Sequence, residues 1–157
     1  MKNIISLLLL FLAINIHSQD IDHIKKLDTI FVNFKENAFQ VKTVLPIDKV
    51  GFQKRWYTIT LGNNYDRKFI RFYFQEYINT EKRDKKIKSD TKLIKKSFLR
   101  KHKKQIVDIE FFKTYDVCTL KDLFYNKIVY IIDFRKEKKE KLTLYEVVSS
   151  FSCDAIE

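Results

Sequence analysis

Residues 55–78 contain Arg55-Trp56-Tyr57-Thr58-Ile59-Thr60-Leu61, then Gly62-Asn63-Asn64-Tyr65-Asp66, then Lys68-Phe69-Ile70-Arg71-Phe72-Tyr73-Phe74-Gln75-Glu76-Tyr77-Ile78. Both flanks are rich in β-branched and aromatic side chains, and the middle offers Gly and Asn, which accept positive φ. The pattern predicts an antiparallel hairpin with a five- or six-residue loop. Successive strand residues point to opposite sides of a sheet. Ile70, Phe72, Phe74 and Ile78 therefore share one face, and Phe69, Arg71, Tyr73, Gln75 and Tyr77 share the other. The first face is core. The second, aromatic and polar together, is either half buried under a helix or a binding surface.

Upstream, residues 19–27 read as a polar, loose lead. Leu27 to Phe34 alternates, with Ile30, Val32 and Phe34 on one side, and predicts a first strand. Val41 to Leu45 predicts a second, stopped by Pro46, the only proline in the chain. Downstream, Asp90 can cap a helix whose stripe is Ile94, Phe98, His102 and Ile106, four residues apart. Asp108 opens another helical segment through Tyr115. Thr119-Leu120-Lys121-Asp122 resembles a capping box that starts a short helix to Tyr125, with Asn126 as its stop. Lys127 to Phe134 and Leu142 to Val148 are two more strands, joined by the charged turn 135–141. The first is apolar on both sides, which places it centrally. The expected fold class is α+β: a small antiparallel β-sheet, covered on one face, with two or three helices inserted between the N-terminal strands and a C-terminal hairpin.

The first residues carry a different signal. Lys2 precedes the apolar run Ile4 to Ile14, and Asn15, His17 and Asp20 end it. A basic start, an apolar stretch of this length and a small residue at Ser18 describe a cleavable secretory signal. The run is too short for a membrane-spanning helix. Residues 1–18 are read as a signal peptide and 19–157 as one secreted or periplasmic domain, a length that can bury its own core. Export places Cys118 and Cys153 in an oxidising compartment, where an even pair implies a disulfide.

The formal net charge of +11 is unevenly spread. Residues 81–104 hold twelve Lys or Arg against Glu81, Asp84 and Asp90, while the rest of the exported chain is nearly neutral. Such a stretch is either a solvated, solubilising face or an electrostatic footprint for a polyanion. With the stripe turned inward, the outward set is Lys92, Lys95, Lys96, Arg100, Lys103 and Lys104. Their partners would be an anionic polymer, an anionic lipid surface or an acidic protein. Lys predominates, and it acts as a point charge without the bidentate fork of Arg.

Motifs for chemistry are sparse. His23 and His102 are the only histidines beyond the signal, too few for a zinc site, so no metal or cofactor is expected. His102 lies on the apolar stripe and reads as a partly buried structural histidine. The carboxylates are scattered, and the only glycines are Gly51 and Gly62, which excludes a phosphate loop. No catalytic residue is selected. The leading expectation is a small exported binding or interaction protein without catalysis. A polyanion-binding protein using residues 82–104 comes second, and a secreted hydrolase or nuclease third.

Overall fold

The computed structural model describes residues 21–62, 68–77, 91–133 and 141–153. In chain order they form α1 (Ile21–Lys25), β1 (Thr29–Phe34), β2 (Gln40–Val44), β3 (Phe52–Leu61), β4 (Lys68–Tyr77), β5 (Thr91–Lys95), α2 (Ser97–Lys101), a 3-10 turn (Lys103–Gln105), β6 (Ile106–Val107), α3 (Ile109–Thr114), α4 (Val117–Phe124), β7 (Ile128–Asp133) and β8 (Lys141–Phe151). The signal segment, Asp90 with the basic residues before it, and the turn expected at 135–141 (except Lys141, which opens β8) fall outside the described residues.

The hairpin forms as its composition requires, with β3 and β4 paired antiparallel from Phe52↔Tyr77 to Leu61↔Lys68. Gly62 opens the loop at φ 83°, a region that favours glycine because it lacks a Cβ. Ile70, Phe72 and Phe74 are buried, as their shared face demands.

The sheet is larger than expected and not wholly antiparallel. Its order is β2-β3-β4-β8-β7-β1-β6, with β5 also paired to β8. β1 runs parallel to both β7 and β6, and the other pairs are antiparallel. The eleven-residue β8 organises it: Thr143 to Val147 pair with β7, while the opposite edge serves two partners. Lys141 to Tyr145 take β5, and Val148 to Phe151 take β4.

Two hydrophobic clusters lie on opposite sides of this sheet. One joins Ile30, Val32, Phe34, Tyr57, Ile59, Phe72, Phe74, Val129, Ile131 and Tyr145, closed by Ile24 of α1, Phe111 and Phe112 of α3, and Leu120 and Phe124 of α4. The other joins Phe31, Tyr130, Ile132, Leu142 and Leu144, covered by Ile94, Phe98, Leu99 and Ile106. Over β1, β7 and the start of β8 the sheet is thus covered on both faces, not one, because β1 and β7 are apolar on both sides and need cover twice. Each fully buried side chain such as Phe72 or Ile131 contributes about 2–3 kcal/mol.

Three local expectations are corrected. Residues 91–106 are not one helix: Thr91 to Lys95 form a strand along Lys141 to Tyr145, pairing backbone groups on that edge of β8 which a helix there would leave unpaired. The four stripe residues nevertheless face the same way. Ile94, Phe98 and Ile106 pack on the second cluster, and the His102 ring stacks on Phe98 at 4.0 Å. The lead is not loose, since Ile21–Lys25 is helical and buries Ile24 completely. Finally, α4 starts earlier than Thr119. Its cap is Asp116, whose side chain accepts from the Cys118 N–H.

Three further local signals hold. Asp108 caps α3, accepting from the Glu110 and Phe111 N–H groups. Asn126 ends α4 at φ 61°. Cys118 and Cys153 are joined, with Cα atoms 5.0 Å apart, tying α4 to the end of β8.

Candidate functional site

The side of β8 that carries Leu142 and Leu144 continues through Glu146, Val148 and Ser150. Ile94 of β5, Phe98 and Leu99 of α2 and Ile106 of β6 pack over its first part. From Thr91 to Val107 there are seven basic residues and no acidic one. Lys95, Lys96, Arg100, Lys103 and Lys104 are exposed, and so is Lys101, which lay outside the expected set. None of these six makes an ion pair among the described residues.

Lys92 behaves differently. Its ammonium donates to the Tyr130 hydroxyl at 2.8 Å, and that hydroxyl donates to Glu146 Oε2 at 2.7 Å. The bond to Tyr130 raises the Lys92 pKa above its ordinary value. Lys92 is exposed and without an ion pair among the described residues, like the other six, but its ammonium is held against Tyr130.

Beyond Glu146 the same side of the sheet is open. Val148 is 70% exposed, and Arg71, Gln75 and Ser150 are exposed. Strand register aligns Thr43, Trp56, Tyr73 and Val148 in one row across β2, β3, β4 and β8, and Val41, Thr58, Arg71 and Ser150 in the next. The Trp56 and Tyr73 rings lie 4.6 Å apart, partly buried and tilted by 44°. The Tyr73 hydroxyl bonds the Gln75 side-chain oxygen, and the Arg71 guanidinium sits 4.4 Å above the Phe69 ring. The aromatic–polar face of the hairpin is therefore a surface, not a helix seat.

The opposite side holds a buried polar group that strand alternation did not single out. Arg55 is 6% exposed, donates to Gln53 and Glu76, and lies 5.0 Å from the Tyr145 ring centre. Lys42 Nζ donates to Asp133 Oδ2 at 2.6 Å, with the Tyr57 hydroxyl also turned to Asp133. Burial, then the neighbouring Asp133 charge, pushes the Tyr57 pKa well up, so this hydroxyl stays protonated. Two cations face two anions here. The cluster closes the sheet and presents no open acid–base pair.

No family model, curated protein or solved structure matches this chain.

Two clefts, of about 490 and 430 Å³, flank α4. The first is lined by Lys25, Asp122 and Lys127 among others, and the second by Lys68, Lys113 and Asp116. Neither contains His23 or His102. These two histidines belong to segments packed on opposite sides of the sheet, since Ile24 joins the first cluster while Phe98 and Ile106 join the second. They form no pair. Among the described residues no group of three His, Cys, Asp or Glu could hold a metal ion, and no helix is long and apolar enough to cross a membrane.

Proposed function

We propose that this chain is an exported binding module that holds an anionic polymer through the basic segment spanning β5, α2 and the 3-10 turn. The observation that carries this reading is the set Lys95, Lys96, Arg100, Lys101, Lys103 and Lys104, exposed and without ion pairs among the described residues. A charged face kept only for solubility is commonly interspersed with both signs. This one has no acid over seventeen consecutive residues, 91–107. The Cys118–Cys153 disulfide supports an oxidising compartment, as does the signal-like start of the sequence.

Contacts of this kind release counterions, so affinity falls steeply with salt. Retention on immobilised heparin in rising salt tests the reading. The protein is expected to elute well above the salt needed for a neutral control, and changing Lys95, Lys96, Arg100, Lys103 and Lys104 to Gln should abolish retention while leaving the circular dichroism spectrum intact. Flow-through of the unaltered protein at low salt would leave only a solubilising face.

A further inference from the structure

Among the described residues β2 pairs only with β3 and stands at one end of the strand order. The Leu45 N–H donates to the Lys54 carbonyl and the Thr60 N–H to the Phe39 carbonyl. Antiparallel pairing alternates, so Phe39, Val41, Thr43 and Leu45 turn their backbone groups to β3. Gln40, Lys42 and Val44 turn theirs outward. Gln40 exchanges both of its backbone bonds with Asn37, and the next outward position, Pro46, has no N–H. The open edge is therefore the N–H and C=O groups of Lys42 and Val44, bounded on each side.

The side chains along this edge are apolar. Of the ten exposed large hydrophobic residues among the described ones, six fall within 39–50: Phe39, Val41, Val44, Leu45, Ile47 and Val50. A free edge is ordinarily guarded by charge. Between Phe39 and Ile47 the only charged residue is Lys42, and its ammonium is already held by Asp133. We infer that β2 pairs antiparallel with β2 of a second copy of this chain, about a two-fold axis at Thr43, joining two sheets edge to edge.

The edge is complementary to itself. With the two Thr43 residues opposite each other, Lys42 of each copy lies opposite Val44 of the other and exchanges two backbone bonds with it. Only this register leaves no Lys42 or Val44 backbone group open. The Thr43 pair at the axis is the non-bonded kind, Cα atoms about 4.5 Å apart, and Thr–Thr is a favourable cross-strand pair. Val41 meets Leu45 of the other copy twice, apolar against apolar, on the face that carries Trp56 and Tyr73. A foreign extended segment would find the same two residues of edge without those matched neighbours. The two-fold pairing closes at a dimer. Two short strands bury less than about 1,200 Å², the low end for specific pairs, so the dimer exchanges with monomer. No residue of the basic segment takes part.

Sedimentation velocity of the disulfide-bonded exported chain over a wide concentration range tests the pairing, and a reversible monomer–dimer equilibrium without larger species is expected. Val44→Pro removes an outward N–H while sparing the ladder to β3, and should raise the dissociation constant about tenfold or more. Thr43→Lys and Thr43→Glu each set like charges against each other across the axis, so each variant alone should stay monomeric. Mixed in equal amounts, the two should dimerise again, a recovery that a folding defect cannot produce. A wild-type chain that is monomeric at every concentration overturns the inference. So does a dimer that Val44→Pro and both Thr43 variants leave intact, which puts the contact elsewhere. A mixture that stays monomeric overturns the register about Thr43, and growth beyond the dimer overturns the closed pairing.

Discussion

The ammonium of Lys42 meets the carboxylate of Asp133 at 2.6 Å although β3, β4 and β8 lie between their strands in the sheet order. Phe34 of β1 likewise touches Tyr57 of β3, ring centres 5.1 Å apart, across β4, β8 and β7. The sheet is curled, and the ion pair clasps its two halves over the first hydrophobic cluster. The curl leaves the opposite side of the hairpin facing outward, which exposes the Trp56–Tyr73 row.

The clasp is nearly buried, with 15% and 11% of the two side chains exposed. Removing one partner strands the other charge in a poorly solvated site. Asp133→Ala or Lys42→Met is expected to destabilise the fold by about 3–5 kcal/mol, and the double change Lys42→Met with Asp133→Leu to recover most of that. Urea denaturation of the three variants measures it. Additive losses in the double variant would show that the two side chains do not act as a pair.

Reducing the disulfide should also cost stability. Cys118 and Cys153 are 35 residues apart, and closing a loop of that size contributes up to about 4 kcal/mol in the chain-entropy model. Thermal melts with and without reductant should differ by many degrees, and alkylation of unreduced, denatured protein should find no free thiol. Two titratable thiols in exported material would refute the pairing.

Acid should weaken the start of α4. The backbone N–H of Cys118 donates to Asp116, and Lys68 adds a second bond, holding that carboxyl below its ordinary 3.8. A carboxyl whose value is depressed by folding contributes stability that is present above its unfolded value and lost as pH falls through the folded one. Asp48 follows the same rule, held low mainly by the Phe52 N–H. The melting temperature should therefore decline as pH drops below 3.8, and less steeply in Asp116→Asn. An acid slope unchanged by that substitution would remove Asp116 from the account.

Export has its own test. Mass spectrometry of secreted material should show a chain starting at Gln19, with residues 1–18 removed. Recovery of the intact chain from Met1 in a membrane fraction would count against the signal.

Much of this protein is local, and local signals are legible without a structure. Alternation assigned Ile70, Phe72 and Phe74 to the core, the caps at Asp108 and the stop at Asn126 followed from side-chain and backbone chemistry, and two cysteines left one bridge to form. The concentration of charge around residue 95 needed only counting. Edge pairing is different, because it depends on residues far away in the chain. Thr91 to Lys95 became a strand only because Lys141 to Tyr145 offered unpaired backbone groups beside it, and no periodicity within 90–106 encodes that offer. The same holds for the parallel β1–β7 pair, whose partners are about a hundred residues apart. Whether Phe69, Arg71, Tyr73 and Gln75 lay under a helix or faced solvent was likewise open from sequence. The tertiary structure decided it, because α1, α3 and α4 spend their apolar faces on the other side of the curled sheet.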